Sequence, residues 1–188
     1  MRVSRRVQIE RRNLLVIDDF ISPAESERTF SDLQDLPFKR KEADSPKSLH
    51  VKNWAFDSRV EPFFIDRVRR LVERYFGAGN WQTERVYCNS AQFGDMLFAH
   101  RDCGRKDDSV TALLYANLEW HRDWGGETLF FDDDGDTACA VLPRPRRLAL
   151  FDGGIEHRAS APQRDCYASR LTLAMKFERR GPKRRKRR

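Results

Sequence analysis

From residue 84 onward, the chain alternates short runs rich in β-branched and aromatic residues with clusters of turn-forming residues. Runs of this kind, about four to eight residues long and bounded by Gly, Pro, Asn or Asp, are typical of β-strands. Asp133-Asp134-Gly135-Asp136 lies between two such runs and predicts a hairpin. Evenly spaced short strands favour a β-sandwich or a jelly roll. The predicted strands span residues 84–93, 96–100, 110–118, 127–132, 137–142, 147–152 and 169–178.

The part of the chain before these runs carries two helix signals. Ser22-Pro23-Ala24-Glu25 combines an N-cap, a proline for the first turn and the glutamate of a capping box, which predicts a helix over about residues 23–35. Apolar residues recur at helical spacing over residues 64–76, and Gly77 follows where a helix would end. Residues 13–20 predict a short strand ahead of both helices.

A chain of 188 residues has the size of one domain. We expect a single domain over residues 1–180, with helical support at about 22–77 and a jelly-roll core at about 83–178. Residues 39–58 are polar and interrupted by a proline, so we expect mostly loop there, with a short strand near 51–56.

The formal net charge of +7 belongs almost entirely to one segment, because residues 183–188 are all lysine or arginine. Blocks of like charge stay unfolded, so we expect a disordered basic tail over residues 181–188. Such a tail suits nucleic acid or an anionic surface, or a nuclear address in a eukaryote. The rest of the chain is nearly neutral, which does not favour nucleic acid as the main partner.

No apolar run has the length needed to cross a membrane, and residues 1–6 lack the apolar core of a secretory signal. We expect no membrane association and a cytoplasmic location, with the nucleus as the alternative in a eukaryote. The four cysteines form no C-x-x-C pair, which argues against a zinc knuckle or a thioredoxin-like motif. We therefore expect reduced thiols.

The strongest functional signal is a set of four residues in chain order: His100, Asp102, His157 and Arg170. Two imidazoles and one carboxylate can occupy one face of an octahedral Fe(II) and leave three positions open. An arginine nearby can hold a carboxylate by a two-pronged, charge-assisted contact. Residues two apart in a strand face the same side, so we expect His100 and Asp102 both to point inward. The set predicts an Fe(II) enzyme that consumes a keto acid.

Further segments surround these four residues in a characteristic order. They are Phe93-Gly94-Asp95, His100-Arg101-Asp102, Thr111 through Asn117, Trp120, Gly125 through Phe130, Pro143 through Phe151, His157 through Pro162, and Arg170 through Leu173. In order and spacing, residues 87–178 resemble the Fe(II)/2-oxoglutarate dioxygenases, specifically the prolyl-hydroxylase-like branch. Residues 15–23 resemble that family's entry into its first helix. The resemblance implies a mainly β, double-stranded β-helix fold, which is a cupin-like jelly roll, with N-terminal helices.

The resemblance also implies roles for individual residues. It makes His100, Asp102 and His157 the iron ligands and the catalytic centre, and it makes Arg170 the residue that binds the far carboxylate of 2-oxoglutarate. Tyr115 falls where related enzymes supply a hydroxyl to that carboxylate, and Thr172 faces the same side of the last strand as Arg170. The implied cofactors are Fe(II), the co-substrate 2-oxoglutarate and dioxygen, with ascorbate as a further candidate.

Three positions depart from the family pattern. Collagen-type prolyl hydroxylases have lysine where this chain has Arg170, and many relatives have tyrosine where it has Leu97. The usual Pro-x-x-Gly-Arg turn becomes Pro143-Arg144-Pro145-Arg146-Arg147, with Arg146 at the glycine position. The arginine still suits 2-oxoglutarate, whereas the missing tyrosine weakens the inference that proline is the substrate.

The sequence thus predicts a 2-oxoglutarate-dependent hydroxylase acting on an unactivated C–H bond of an amino-acid-type centre in a peptide, a protein or a small metabolite. Asp102 favours hydroxylation, because a halogenase needs that position for halide. One alternative is a nucleic-acid oxidative demethylase, for which the basic tail would help to hold phosphates. Another is a non-catalytic jelly-roll binding module. The sequence leaves the oligomeric state open.

Overall fold

The computed structural model describes residues 1–44, 46–58, 60–105 and 107–180. The predicted tail at 181–188 lies outside the described residues. Within them, no helix has both the length and the apolar character needed to cross a membrane.

The described chain is built mainly of strands, with two α-helices near its start. The helices are α1 (Pro23–Gln34) and α2 (Ile65–Phe76), and single 3-10 turns lie at Pro46–Ser48 and Arg122–Trp124. The strands are β1 (Arg2–Ile9), β2 (Arg12–Asp18), β3 (Lys39–Glu42), β4 (Asn53–Ser58), β5 (Trp81–Ala91), β6 (Ser109–Tyr115), β7 (Thr128–Phe131), β8 (Thr137–Val141), β9 (Leu148–Asp152), β10 (Glu156–Ala159) and β11 (Arg170–Arg179).

These strands form two antiparallel sheets. The larger has the order β1-β2-β9-β6-β11-β5-β4-β3, and the smaller has the order β10-β7-β8. Successive residues of a strand face opposite sides, so β6 sends Leu114 into one core and Leu113 and Tyr115 into another. The first core includes residues of both helices, and the second includes Phe130 of the small sheet. The predicted jelly roll with helices at its N-terminal side is therefore confirmed.

Local signals placed both helices correctly. The Ser22 hydroxyl accepts from the Glu25 N–H at 3.2 Å, and the Ser22 N–H donates to Glu25 Oε2 at 2.8 Å, which completes the predicted capping box. α2 ends before Gly77, whose φ of 94° lies in the region that glycine favours. The predicted hairpin joins β7 to β8, and Gly135 of its turn has a φ of 86°.

The turn of residues 143–147 keeps the left-handed backbone conformation that glycine favours, although Arg146 occupies the glycine position. Arg146 has a φ of 62°, and its carbonyl accepts from the Phe20 N–H at 2.9 Å. Its guanidinium lies 2.6 Å from Asp19, and the guanidinium of Arg147 lies 2.6 Å from Asp18. Two ion pairs thus tie this turn to the end of β2 and accompany the left-handed backbone at Arg146.

One predicted strand is wrong. Residues 96–100 form no strand, and the segment makes only an isolated bridge between His100 and His157. β1 and β3 are additional strands whose residues are mostly charged or polar. Both lie at the edges of the large sheet, where side chains stay in water and the hydrophobic alternation that marks a strand is lost.

Candidate active site

Backbone hydrogen bonds between two segments bring the first three predicted site residues together. His100 and His157 each donate an N–H to the other's carbonyl at 2.9 Å. The Asp102 N–H donates to the Gly153 carbonyl, also at 2.9 Å. His157 lies on β10 of the small sheet, so an irregular segment rather than a predicted strand delivers His100 and Asp102. Both side chains nevertheless face the same centre, as the two-residue spacing predicted.

The side chains of this triad converge on a single point. One ligand atom from each of His100, Asp102 and His157 lies within 4.8 Å of the others. The Nδ1 atoms of the two histidines lie 3.0 Å from the carbonyls of Phe98 and Ile155, respectively. Each Nε2 lies 3.8 Å from a carboxylate oxygen of Asp102. A histidine whose Nδ1–H bonds a carbonyl presents a free Nε2 lone pair, which is the state that binds a metal.

The electrostatics of the triad suit a cation. Burial alone would raise the pKa of Asp102, but His157, Lys176 and a hydrogen bond from Thr111 hold it below its ordinary value. Burial lowers the pKa of His157 to about 4, assisted by nearby His100 and opposed by Asp102. An ionised carboxylate and a neutral imidazole are the ligand forms of these side chains.

Two partners of Asp102 were missed by the sequence interpretation. Thr111 Oγ1 donates to Oδ2 at 2.5 Å, and Lys176 Nζ lies 2.8 Å from Oδ1. Thr111 and Lys176 stand directly opposite each other on β6 and β11. The signal was present, because Lys176 continues the two-residue alternation of Arg170 and Thr172 along the last strand.

Arg170 is a buried cation, only 1% exposed. Its Nε donates to the Gly126 carbonyl at 2.6 Å, and its Nη2 donates to Thr128 Oγ1 at 2.9 Å. Within the described part of the chain it has no carboxylate partner within 4.0 Å. Two residues along the strand, the buried Thr172 Oγ1 has no hydrogen-bond partner among the described residues. Such groups are unfavourable to bury alone and are satisfied when an anion binds.

Tyr115 lies near Arg170 but does not line the cavity. Its hydroxyl is within 2.7 Å of Thr128 Oγ1 and donates to the Val141 carbonyl at 3.3 Å. The Arg170 guanidinium lies 5.4 Å from the centre of the Tyr115 ring. Tyr115 is thus joined to Arg170 through Thr128, a residue that the sequence interpretation did not single out.

One cavity of about 70 Å³ connects the two groups of residues. The triad, Arg170, Thr172 and Thr128 all line it, whereas Tyr115 does not. Its wall also includes Asp44, Asn53, Trp54 and Leu97. The Asp44 carboxylate accepts from the Asn53 amide at 3.0 Å and from the Phe98 N–H at 2.6 Å, which links the β3–β4 connection to the segment before His100.

A larger cavity of about 340 Å³ lies elsewhere, against α1 and β4, and its lining contains none of the predicted site residues. The convergent polar groups therefore decide the location of the site, since chemistry identifies a site better than volume does.

Comparison with known proteins agrees with this geometry. Residues 86–177 match the model of a family described as the 2OG-Fe(II) oxygenase superfamily. Residues 86–177, which are just under half of the chain, thus carry the pattern of this superfamily. The protein is accordingly an oxygenase that uses Fe(II), 2-oxoglutarate and dioxygen, as the sequence predicted, while ascorbate stays a prediction. No curated protein matches the sequence.

Solved structures share the fold of this oxygenase. A Pseudomonas putida prolyl-4-hydroxylase is 17% identical, with a TM-score of 0.67 over 89% of this chain and 92% of its own. HygX from Streptomyces hygroscopicus, solved with nickel, 2-oxoglutarate and hygromycin B, is 16% identical, with a TM-score of 0.68 over 88% and 82%. A Trichoplax adhaerens prolyl hydroxylase, solved with a hypoxia inducible factor peptide, is 18% identical, with a TM-score of 0.61 over 88% and 83%.

The residues of this oxygenase fit both Fe(II) and 2-oxoglutarate. The donor set of two Nε2 atoms and one carboxylate suits Fe(II) and leaves positions open for other ligands. In the part of the chain that the structure describes, Arg170 has no carboxylate partner and the Thr172 hydroxyl has no hydrogen-bond partner, so both suit a carboxylate at the other end of the same cavity.

Proposed function

We propose that the protein hydroxylates an unactivated C–H bond of an amino-acid-type centre in a peptide, a protein or a small metabolite. The observation that carries the proposal is the shared cavity, in which a metal-binding triad and a buried arginine with no carboxylate partner among the described residues face one space. Bound Fe(II) and 2-oxoglutarate supply the oxidising chemistry, in which decarboxylation of the keto acid accompanies the oxygenation of substrate.

In this proposal His100, Asp102 and His157 hold the iron. The carbonyls of Phe98 and Ile155 fix the two imidazole rings through Nδ1, so that each Nε2 stays directed at the centre. Thr111 holds the Asp102 carboxylate in place. These contacts orient the three ligand side chains and so lower the reorganisation that ligand binding requires.

Arg170 and Thr172 bind the far carboxylate of 2-oxoglutarate. Gly126 and Thr128 accept from two nitrogens of Arg170 and so fix the plane of the guanidinium. Tyr115 supports Thr128 from behind, which makes it a positioning residue in this proposal. A planar, oriented guanidinium selects a carboxylate over a monovalent anion of another shape.

The surroundings of the cavity favour a substrate with some length. A groove of about 430 Å³, lined by Phe30 and Phe38 among others, shares Trp54 and Ser90 with the active-site cavity. Another, of about 370 Å³, shares Leu97 and Ala159 with it. Two grooves that share wall residues with the cavity support a peptide segment more than a free amino acid.

We also propose a cytoplasmic location. The four cysteines are unpaired, as a reducing compartment allows.

The deciding experiment is anaerobic absorbance spectroscopy of the protein mixed with Fe(II) and 2-oxoglutarate. We expect a visible iron-to-keto-acid charge-transfer band that His157→Ala abolishes and Arg170→Ala weakens. Asp102→Ala should abolish hydroxylation of any substrate found later. A folded, iron-loaded protein without the band would end the oxygenase proposal and would favour the non-catalytic binding module instead.

A further inference from the structure

Lys176 contributes a positive charge directly beside the proposed metal centre. Its ammonium lies 2.8 Å from Asp102 Oδ1, and its side chain is only 15% exposed while that of Asp102 is 1% exposed. The same ammonium lies 5.6 Å from the ring centre of Tyr87, which lines the cavity. Lys176 therefore lies beside Asp102 on the last strand, at the two-residue spacing that places it on the same face as Arg170 and Thr172.

A second basic side chain that packs on Tyr87 is committed elsewhere. The Arg85 guanidinium lies 4.1 Å from the centre of the Tyr87 ring. The same guanidinium donates to both carboxylate oxygens of Glu42 and to Asp57. Among the described residues, Lys176 is thus the one lysine or arginine paired with Asp102.

The pair has a direct electrostatic consequence. A carboxylate as buried as that of Asp102 needs a compensating positive charge, and Lys176 supplies it before any metal binds. A divalent cation held by His100, Asp102 and His157 must share that carboxylate with the ammonium. Like charges in a poorly solvated site repel each other strongly. The ammonium therefore opposes the metal when the metal binds alone.

A dianionic co-substrate reverses this balance. 2-Oxoglutarate brings two negative charges into the cavity that Asp102 and Arg170 line. Without it, the metal, Arg170 and the ammonium that pairs with Asp102 would be neighbouring cations. When 2-oxoglutarate binds, the repulsion between metal and ammonium is offset by attraction of both to the anion. By linkage, the factor by which 2-oxoglutarate strengthens metal binding equals the factor by which the metal strengthens 2-oxoglutarate binding.

We infer that Lys176 is an internal counter-ion of Asp102 that makes divalent metal and 2-oxoglutarate bind cooperatively, by weakening the metal-only complex. This inference rests on the proposed metal site at His100, Asp102 and His157. Lys176 acts through Asp102 and the bound ligands and takes no part in the chemical step.

The test is calorimetric titration with Mn²⁺, which binds similar ligands without starting turnover, in the absence and presence of saturating 2-oxoglutarate. In Lys176→Met we expect Mn²⁺ alone to bind at least about tenfold more tightly than in the wild type. We expect the strengthening of Mn²⁺ binding by 2-oxoglutarate to shrink by a similar factor. Lys176→Gln should behave as Lys176→Met does, because it keeps a hydrogen-bond donor but removes the charge.

The chain offers a matched control in Lys41, whose ammonium pairs with Asp57 at 2.6 Å on the surface. Lys41→Met removes the same charge from a lysine–carboxylate pair outside the cavity and should leave both Mn²⁺ affinities unchanged. If Lys176→Gln binds Mn²⁺ as the wild type does while Lys176→Met binds it more weakly, Lys176 acts through a hydrogen bond and the inference is overturned. Equal affinities in all four proteins would overturn it as well.

Failure of the proposed function gives a different result. If the wild type binds no Mn²⁺, or if His157→Ala binds it equally well, the metal site itself is wrong and the inference falls with it. If the wild type binds Mn²⁺, His157→Ala does not, and the Lys176 variants bind as the wild type does, the metal site stands and only the role of Lys176 is rejected.

Discussion

Arg170 illustrates how a single side chain can specify a ligand. Its Nε and Nη2 donate to two uncharged oxygen atoms, and among the described residues no carboxylate pairs with its buried positive charge. We expect Arg170→Lys to lower 2-oxoglutarate affinity of the Mn²⁺-loaded protein by about tenfold to a hundredfold, because lysine keeps the charge but loses the planar fork. Calorimetry also measures Mn²⁺ affinity without 2-oxoglutarate, which should stay the same. A parallel loss of Mn²⁺ binding would contradict the separate roles of Arg170 and the triad.

Gly126 limits what can stand beside Arg170. Its φ is 74°, and a Cβ there would lie 3.0 Å from Trp120 Cζ2 and 3.1 Å from Arg170 Cδ. Gly135 has a similar φ of 86°, but a Cβ there would meet nothing within 4 Å. We expect Gly135→Ala to destabilise the protein by about 1–2 kcal/mol through backbone strain. Gly126→Ala should cost roughly 1–3 kcal/mol more through overpacking.

Urea unfolding of both alanine variants measures the difference in their free energies of unfolding, and titration with 2-oxoglutarate shows whether either substitution alters binding at Arg170. Only Gly126→Ala should weaken 2-oxoglutarate binding, because only that Cβ displaces Arg170. Equal losses of stability in the two variants, with unchanged 2-oxoglutarate binding, would mean that the backbone at Gly126 moves away from Arg170 at little cost in free energy.

At the scale of elements, one carboxylate joins the two helices. Glu25 closes the capping box of α1, and Arg67 of α2 contacts its oxygens at 2.7 and 3.2 Å. The hydrogen bond from Arg67 is the main reason that the pKa of Glu25 is lowered to about 2. Because the folded-state pKa lies below that of the unfolded chain, the contribution is complete above about pH 4.5 and is lost as the pH falls towards 2.

We therefore expect Glu25→Gln to reduce the free energy of unfolding at pH 7 by about 1–2 kcal/mol, after allowing for partial solvent exposure of the pair. The variant should also lose part of the stability change between pH 4.5 and 2, which urea unfolding at several pH values measures. Asp32→Asn, which removes an exposed carboxylate from α1, is the control and should keep that change. An unaltered pH profile in Glu25→Gln would place the acid sensitivity elsewhere.

The helix α2 has one wet and one dry face and was predicted well, because burial imposes a period on its residues. The strand β11 is buried on both faces over most of its length, and its apolar residues still alternate with Arg170, Thr172 and Lys176. The edge strands β1 and β3 were not predicted, since their pairing comes from neighbouring backbone rather than from buried side chains. Residues 96–100 were predicted as a strand, but backbone hydrogen bonds to β10 hold His100 without a regular ladder.

The same reasoning explains what the sequence disclosed about the site. Spacing and resemblance identified the triad, Arg170 and Thr172, which the fold brings to one cavity. Thr128 and Lys176 matter through contacts between distant strands. Alternation along the last strand places Lys176 on the face of Arg170, but sequence order does not show which distant residue either side chain contacts. Tyr115 was identified by resemblance, yet its hydroxyl is occupied by Thr128 and Val141 rather than directed into the cavity.

At the scale of the whole molecule, the proposed metal centre joins the small sheet to the segment that follows β5. A ligand that binds only the folded state stabilises it by mass action. We expect Mn²⁺ at a hundred times its dissociation constant to raise the free energy of unfolding by about 2.7 kcal/mol. Thermal unfolding with and without a chelator measures the change, and His157→Ala should remove it. An equal stabilisation of His157→Ala would indicate metal binding outside the triad.

The distribution of charge along the chain bears on the choice between an amino-acid-type substrate and nucleic acid, which the sequence left open. Six cations lie at residues 183–188 and the rest of the chain is nearly neutral, so any affinity for nucleic acid should depend on that segment alone. If so, fluorescence anisotropy with duplex DNA should give a slope of log affinity against log salt of about −5, since each neutralised phosphate contributes roughly −0.9. Deletion of residues 181–188 should abolish this binding and leave Mn²⁺ and 2-oxoglutarate affinities unchanged. Salt-sensitive binding that survives the deletion would instead require phosphate contacts on the folded body, and the nucleic-acid demethylase would then become the better hypothesis.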